Sequence, residues 1–288
     1  MATWFITGAA RGLGYAIAAH ALHTGNQVVV AARDEARLEA VYSSLPGFRD
    51  HLLWLTLDVT DEAQAAAAAA AAVARFGQID FLVNNAGRGL LGAVEEASST
   101  EVYDIFATNV FGTLNVIRAV LPHMRARRSG HVVNIGSMGG FSQVAGWGVY
   151  GATKFALEGI SEAMQAELAP LGISVTIVEP GSFRTNFLDG GSLQLTENAL
   201  DDYAETAGRV RHSAVSSSGR QPSDPALGAA AIYEAVTAAH PPFRFQVGPD
   251  AVAMVDAKIE RVRQELDLWR ELASSTTFDP PPAEGPAP

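Results

Sequence analysis

Short apolar segments alternate with segments of helical periodicity through the first 180 residues, and this alternation restricts the possible folds most strongly. The apolar runs are Trp4–Ile6, Val28–Ala32, Leu52–Leu57, Ile79–Val83, His131–Ile135 and Ser174–Val178. The helical segments between them are Gly14–His23, Glu35–Ser44, Glu62–Phe76, Glu101–Arg127 and Gly151–Leu168. Strands that alternate with helices predict βαβ units, and continuous apolar strands fit a parallel sheet that is covered on both faces.

The composition of the chain changes after Pro180–Gly181. Residues 182–223 are rich in Gly, Ser, Asp and Asn, and so long an excursion within a compact domain predicts a substrate-binding lid; the alternative is a disordered segment. Regular patterns then return with a helix at Asp224–Ala239, a strand at Phe243–Val247 and a helix at Asp250–Leu272. We therefore predict one Rossmann-type α/β domain over residues 1–275, a doubly wound parallel sheet of about seven strands with helices on both faces. The Pro-rich tail, residues 276–288, is predicted to be disordered.

Composition excludes several classes of function. The formal net charge is -11, and this acidic excess argues against nucleic acid or an anionic membrane as a partner. The chain has no cysteine, and its 7 histidines show no ligand spacing, so we predict no disulfide and no metal site. We see no secretory signal and no apolar stretch of the ~20 residues that a membrane span needs. We therefore expect a soluble cytoplasmic protein.

A glycine-rich turn, TGAARGLG from Thr7 to Gly14, follows the first predicted strand and opens a helix. Gly8, Gly12 and Gly14 suit a dinucleotide site, which needs a tight turn, close approach of the backbone to the pyrophosphate, and close packing of helix on strand. Such a turn can also exist without a ligand. The strand–turn–helix context favours a nucleotide site.

The end of the second strand bears on the choice between NAD(H) and NADP(H). An NAD site usually places an acidic residue there, to accept from the ribose hydroxyl. Here the strand ends in Ala31 and Ala32, followed by Arg33, and Arg11 lies inside the glycine turn. Two guanidinium groups suit a 2′-phosphate, whereas Asp34 fits better as the N-cap of the next helix. We predict NADP(H) in preference to NAD(H); the alternative is that both arginines are merely solvated.

Tyr150 and Lys154, in YGATK, would share one face of a helix. This spacing alone is common. Ser137 strengthens the prediction of a catalytic site. This serine lies 13 residues before the tyrosine, at the carboxyl edge of a predicted strand, where open α/β sheets carry their sites. These three residues are candidates for catalysis.

Together these motifs resemble the classical short-chain dehydrogenase/reductase family, in register over about residues 3–185. NNAG at Asn84–Gly87 is similar to that family's structural signature, and Asp58 in LDVT to its adenine-contacting aspartate. The resemblance assigns catalysis to Asn109, Ser137, Tyr150 and Lys154. It assigns cofactor binding to Thr7, Gly8, Arg11, Gly12, Leu13, Gly14, Arg33, Asp58, Val59, Asn85, Ala86, Gly87, Tyr150, Lys154, Pro180, Gly181 and Thr185.

The resemblance implies hydride transfer between a nicotinamide and a carbonyl or secondary alcohol. Lys154 is expected to lower the pKa of Tyr150 from ~10, so that the phenol exchanges a proton near neutral pH, and to hold the nicotinamide ribose. Ser137 is expected to donate to the substrate oxygen. Asn109 is expected to hold a water that links Lys154 to solvent.

Apolar side chains in the lid and before Tyr150 predict a hydrophobic substrate. They are Phe141, Val144, Trp147, Phe183, Phe187, Leu188, Leu193 and Leu195. We expect bulky hydrophobic carbonyls to be preferred over small or charged ones. The alternative is that these side chains only pack the lid onto the domain.

Two other functions use related folds. A catalytically idle dinucleotide sensor would be expected to have lost Tyr150 or Lys154, and this chain has both. A sugar-nucleotide epimerase or dehydratase resembles a glycine motif with two residues before the middle glycine, whereas three separate Gly8 from Gly12.

The resemblance also implies a homodimer or homotetramer, packed through the helices at Glu101–Arg127 and Gly151–Leu168. The candidate contact residues are Phe106, Phe111, Phe155 and Leu157.

Overall fold

A computed structural model describes residues 1–43, 45, 47–189 and 191–277. Its strands are β1 (Thr3–Thr7), β2 (Gln27–Ala32), β3 (Leu52–Thr56), β4 (Phe81–Asn84), β5 (Gly89–Leu91), β6 (Gly130–Ile135), β7 (Ile173–Pro180), β8 (Leu193–Leu195) and β9 (Arg244–Val247). Seven of them form one parallel sheet in the order β3-β2-β1-β4-β6-β7-β9, and β5 pairs with β8 separately. The predicted fold class and strand number are confirmed.

Helices cover both faces of the large sheet. They are α1 (Gly12–His23), α2 (Glu35–Tyr42), α3 (Glu62–Phe76), α4 (Ser99–Phe106), α5 (Gly112–Arg127), α6 (Gly148–Leu168), α7 (Arg209–Ser217), α8 (Pro225–Thr237) and α9 (Pro249–Ser274). Trp4 and Ile6 of β1 enter a core with α1, α2 and α8, while Phe5 between them enters a second core with α3, α5 and α6. This division follows from the two-residue period of a strand.

The N-cap of α2 bears on the cofactor argument. The Asp34 carboxylate accepts a hydrogen bond from the Arg37 amide at 3.0 Å, so the predicted capping role is confirmed. One oxygen of this carboxylate is therefore used by its own helix, and β2 itself ends at Ala32 without an acidic residue.

The segment predicted as one helix, Glu101–Arg127, is interrupted by a π-helical turn at Ala107–Phe111. Such a turn inserts one residue into the helical ladder and changes the direction of its side chains. By its length and composition alone, the helical run Ser99–Arg127 is long and apolar enough to cross a membrane. The amino-acid sequence had predicted no such segment. Its buried side chains, Val116 and Val120 among them, pack in the core shared with α3.

The predicted lid, residues 182–223, contains β8, α7 and three short helical turns. β8 pairs with β5 in a parallel register that sets Gly89 against Leu193 and Leu91 against Leu195. The lid is thus attached to the chain directly after β4. The predicted disordered tail lies outside the described residues from position 278 onward.

Candidate active site

A cavity of about 1080 Å³ lies at the carboxyl ends of the parallel strands. The glycine turn, the ends of β2, β4, β6 and β7, and the lid form its walls. β1 and β4 are neighbours in the sheet, and the strand order reverses between them. Open α/β sheets bind their ligands in the crevice at that point.

Most of the predicted site residues line this cavity. They are Gly8, Arg11, Gly12, Leu13, Arg33, Asp58, Val59, Asn85, Ala86, Gly87, Ser137, Val144, Trp147, Tyr150, Lys154, Pro180, Gly181, Phe183, Thr185 and Phe187. Four others lie outside its lining: Thr7, Gly14, Asn109 and Phe141. The first three support the site from behind.

The glycine turn has the geometry of a phosphate cradle. Gly8 and Gly12 have φ angles of 64° and 58°, in the left-handed region that favours glycine. A Cβ on Gly8 would lie 2.8 Å from the Cα of Ala86. Arg11, the N-cap of α1, does not cap the helix with its side chain, so the amides of the first turn are left for a ligand.

Thr7 and Asn85 brace the turn instead of facing the cavity together. The amides of Asn85 and Ala86 both donate to Thr7 Oγ1 at 3.0 Å, and Asn85 Nδ2 donates to the carbonyls of Thr7 and Gly8. Gly14 lies against the same side chain, because a Cβ there would be 2.3 Å from Asn85 Nδ2. Thr7 and Gly14 therefore hold β1 to the chain after β4, and their contact with the cofactor stays a prediction.

Three arginines and two aspartates line the end of the cavity beside β2, where the sequence predicts the adenosine. Arg33 and Arg37 both line it, and Arg11 lies close enough that burial, followed by repulsion from Arg37 and Arg33, lowers its pKa. Arg37 was missed from the sequence, although its spacing of four residues from Arg33 on a helix was a usable signal. Asp58 is held at this end by Thr60, whose amide and hydroxyl donate to Asp58 Oδ1 at 2.9 and 2.8 Å.

Tyr150 and Lys154 lie on α6 and are both buried. Burial raises the pKa of Tyr150 to about 12, and a hydrogen bond with the Ser137 hydroxyl opposes that rise. Burial lowers the pKa of Lys154 to about 8. Lys154 Nζ donates to the Ile135 carbonyl at 2.9 Å and lies 5.8 Å from the centroid of the Tyr150 ring. The expected lowering of the tyrosine pKa is therefore corrected: burial dominates, and the nearby group that lowers this pKa is Ser137.

Asn109 lies in the π-helical turn, fully buried behind the cavity. Its Nδ2 donates to the Arg88 carbonyl at 2.9 Å and to Thr153 Oγ1 at 3.0 Å, and the Arg88 amide donates to its Oδ1 at 2.9 Å. Thr153 lies between Tyr150 and Lys154 on α6, so Asn109 connects α6 with the residue that precedes β5. In this structure its amide bonds to protein groups.

Aromatic and aliphatic side chains surround the Tyr150 ring. The ring centroids of Trp147 and Phe187 lie 5.3 and 5.8 Å from it. Leu188, Leu193, Val210 and Ala214 of the lid also line the cavity.

Three of the predicted substrate contacts have other neighbours. Phe141 lies outside the lining, with the Arg244 guanidinium 5.8 Å from its ring centroid. Leu195 is also outside it. Phe183 reaches the cavity but is mostly buried against Gly228 of α8, where a Cβ would lie 2.3 Å from its ring.

The turn at Pro180–Gly181 depends on a residue that the sequence did not reveal. The Ser182 amide donates to Asp250 Oδ2 at 2.7 Å, and a Cβ on Gly181 would lie 2.0 Å from Asp250 Oδ1. Asp250 opens α9, far along the chain, and no local pattern connects it to this turn.

Among the residues that the structure describes, no group of three or more His, Asp or Glu side chains is placed to hold a metal ion. The arrangement provides an anion cradle, a buried phenol and an apolar wall.

Comparison with known proteins places this geometry in a family. The sequence profile of the short chain dehydrogenase family matches residues 2–194. The chain is 35% identical to an oxidoreductase of Botryotinia fuckeliana over 270 residues, which cover 94% of this chain and 97% of that protein. A short-chain dehydrogenase from Streptomyces avermitilis superimposes with a TM-score of 0.87 at 42% identity, covering 96% of this chain and 100% of that one. A short chain dehydrogenase/reductase from Burkholderia phymatum, solved in complex with NAD, superimposes with a TM-score of 0.79 at 26% identity, covering 92% and 95%.

Proposed function

The chain belongs to the short-chain dehydrogenase family, and from that premise we propose that it is an NADPH-dependent reductase of hydrophobic ketones or aldehydes, or the corresponding alcohol dehydrogenase. The observation that carries the proposal is the buried Tyr150 phenol beside Ser137, in a cavity that also holds a phosphate cradle. A binding protein needs the cradle, but it has no use for the phenol.

The residues present fit a nicotinamide dinucleotide. The first turn of α1 offers backbone amides to the pyrophosphate. Thr60 occupies one carboxylate oxygen of Asp58, so the other oxygen is left for the adenine. Lys154 also lines the cavity and would contact the nicotinamide ribose. Such a cofactor supplies the hydride when it is bound. The protein supplies position and the proton.

Proton donation is the part that this chain performs itself. Because the pKa of Tyr150 is about 12, the phenol is protonated at neutral pH and can donate to a carbonyl oxygen that is being reduced. The Ser137 hydroxyl would hold the same oxygen as negative charge develops on it. Lys154, whose pKa burial lowers to about 8, is suited to pass a proton back toward the phenol.

The proposed preference for NADPH rests on Arg33 and Arg37 at the adenosine end of the cavity. Both guanidinium groups lie next to the end of β2, whose last residue is Ala32 and whose following acid, Asp34, caps α2. A 2′-phosphate would meet two cations there, and the nearest carboxylate, Asp34, already uses one oxygen to cap α2.

The proposed substrate is a bulky hydrophobic carbonyl compound, aromatic, terpenoid or steroid-like. Trp147 and Phe187 flank the phenol, and Leu188 and Leu193 extend this apolar wall into the lid. An apolar substrate would bury its surface against these side chains while only its carbonyl oxygen meets polar groups.

We further propose that the enzyme acts in the cytoplasm as a homodimer or homotetramer, with neither nucleic acid nor a membrane as a partner. The net charge of -11 supports the last point, since phosphate-rich surfaces would repel it.

Substitution of the catalytic tyrosine tests the enzyme against an idle sensor. Tyr150→Phe removes one oxygen, so NADPH affinity should be retained while single-turnover reduction of an aryl ketone falls by about 100- to 10,000-fold. Lys154→Met should lower turnover and also weaken NADPH, because its side chain would touch both phenol and ribose.

Tyr103→Phe is the matched control, because Tyr103 is exposed on α4 and should tolerate the same change. Full turnover in the Tyr150→Phe protein would place the acid on another residue. An absence of turnover in the wild-type protein with every carbonyl tested, together with tight NADPH binding, would favour the sensor.

A further inference from the structure

The side chain of Arg11 crosses the cavity from the glycine turn to the lid. Its Nη2 contacts the carbonyl of Gly191 and donates to the Ser192 hydroxyl at 2.5 Å. These partners lie 180 and 181 positions further along the chain. The sequence placed Arg11 at the 2′-phosphate, whereas its guanidinium is engaged by the opposite wall.

The lid is shaped to receive this guanidinium. A Cβ at position 191 would lie 2.6 Å from Arg11 Nη1, so the glycine there leaves room that a side chain would fill. The carboxylate of Asp189, two residues earlier, attracts the same cation. Carbonyl, hydroxyl and carboxylate thus converge on one arginine.

The point of contact is attached to the sheet side of the domain. The Gly89 amide donates to the Ser192 carbonyl at 2.8 Å, and β8 begins at the next residue and pairs with β5. Arg11 is itself the N-cap of α1. Its contact with the lid therefore joins the phosphate cradle to a wall that is itself attached to the sheet side of the domain.

The neighbouring arginines differ from Arg11 in this respect. Arg33 and Arg37 are exposed at the same end of the cavity, and their side chains make no hydrogen bond or ion pair within the described chain. They have free donors for an anion, whereas Arg11 already has two acceptors from the lid.

We propose that Arg11 is a positioning residue, a strap that holds the lid over the bound cofactor, and that Arg33 and Arg37 are the residues that receive the 2′-phosphate. This inference rests on the proposed nucleotide site. A strap above the pyrophosphate must open before either nucleotide can leave. Its loss should accelerate release of NADPH and NADH alike, because its contacts are to the lid and not to the group that distinguishes them.

Release rates of the two nucleotides test the strap. Each is measured by stopped flow, from the fluorescence change when preloaded protein is mixed with an excess of the oxidised nucleotide. Arg11→Met keeps the length of the side chain and removes its donors. It should accelerate release of both nucleotides by about tenfold, the lower end of the range for one charge-assisted contact, because the site is partly exposed. The ratio of NADPH to NADH affinity should stay as in the wild-type protein.

Two further variants separate the roles. Ser192→Ala should accelerate both releases to a smaller extent, and in the Arg11→Met background it should add nothing, because the two residues share one contact. Arg33→Met, the matched control, should weaken NADPH and leave NADH release unchanged.

Two results would overturn the proposal. Selective weakening of NADPH by Arg11→Met would make Arg11 a phosphate ligand, and unchanged release of both nucleotides would show that its contact with the lid does not retain them. Equal affinity of the wild-type protein for NADH and NADPH would instead contradict the proposed cofactor preference, and the release rates would still decide on the strap.

Discussion

At the adenosine end of the cavity, single side chains determine which nucleotide fits. A charge-assisted contact with a 2′-phosphate contributes ~1.5–3 kcal/mol, so its loss should cost about 10- to 100-fold in affinity. Arg33→Ala should therefore weaken NADPH by that factor and leave NADH nearly unchanged, and Arg37→Ala should act in the same direction. Ala32→Asp should shift the preference toward NADH, because a carboxylate at the end of β2 accepts from the ribose hydroxyl and repels the phosphate.

Titration of nucleotide fluorescence measures both affinities in each variant. Arg125→Ala, an exposed arginine on α5, controls for the loss of one surface charge. Should the wild-type protein bind NADH as tightly as NADPH, the argument from the two arginines fails.

A buried pair of glutamates behind the active site makes stability depend on pH. Glu158 of α6 and Glu179 of β7 each have a buried oxygen with no hydrogen-bond partner among the described residues. Arg244 Nε lies 2.9 Å from Glu158 Oε2 and 3.4 Å from Glu179 Oε1, and Gln246 donates to Glu179. Burial and the neighbouring Glu179 raise the pKa of Glu158 to about 7, and burial also raises the pKa of Glu179.

A carboxyl group whose pKa is higher in the folded than in the unfolded protein stabilises the fold when it is protonated. For Glu158 that stabilisation is complete below its unfolded pKa of ~4.3 and is lost as the pH rises through about 7. The melting temperature should therefore fall between about pH 4.3 and about pH 7 and level off at higher pH. Glu158→Gln, whose amide replaces the proton, should flatten this fall.

Glu162→Gln is the matched control, since Glu162 contacts the same Arg244 but is exposed to solvent. Melting curves of the three proteins across this pH range provide the measurement. If the melting temperature of Glu158→Gln falls with pH as steeply as that of the wild-type protein, ionisation of the glutamate pair does not destabilise the fold.

Among the structural elements, the lid carries the side chains that the proposed function expects to select among carbonyl compounds. Phe187 lies against the phenol from the lid side, so Phe187→Ala should lower kcat/KM for an aryl ketone by about tenfold and affect a small aldehyde less. Leu195→Ala is the control within the lid, because that side chain does not line the cavity.

A panel of ketones and aldehydes of graded size, followed by NADPH absorbance, gives the measurement. The wild-type protein should reduce aryl ketones faster than short hydroxy- or keto-acids. The reverse order would mean that the apolar residues only pack the lid onto the domain.

The contrast between elements also shows what the sequence could reveal. The glycine turn and the Tyr150–Lys154 pair were predictable, because their chemistry fixes residue types at short spacings within one element. Three features were not predictable, because each depends on partners tens of residues away or more. They are the π-helical turn that carries Asn109, the hydrogen bond from the Ser182 amide to Asp250, and the contact of Arg11 with the lid. A local pattern could identify Arg11 as a cation near the phosphates, but it could not show which wall its side chain joins.

At the scale of the whole molecule, the faces of α4, α5 and α6 bear on self-association. Phe111 and Phe155 are 54% and 45% exposed, which is unusual for large aromatic side chains and suits the expected interface. Leu157 is 2% exposed and belongs to the interior, and Phe106 packs beside the cluster around Tyr150. Leu157 is therefore corrected to an interior residue, and contacts by Phe106, Phe111 and Phe155 stay predictions.

The outer half of α9 exposes a second apolar stripe, which contains Val262, Leu266, Trp269 and Leu272. The faces of α4, α5 and α6 and the stripe on α9 are thus two candidate interfaces, and substitutions on each distinguish them. We predict that subunits associate through the faces of α4, α5 and α6.

We expect light scattering at micromolar protein to return a mass of two or four times 30.3 kDa. Combined Phe111→Glu and Phe155→Glu substitutions should reduce it to that of one chain, because burial of charge at a shared face is costly. Leu227→Glu is the control, because Leu227 is equally apolar and exposed but lies on α8, on the opposite face of the sheet.

With a net charge of -11 on each chain, association should also strengthen as salt screens the repulsion between subunits. A mass of ~30 kDa for the wild-type protein across that salt range would contradict self-association. Dissociation by Leu266→Glu, with no effect of the paired substitutions, would instead place the interface on α9.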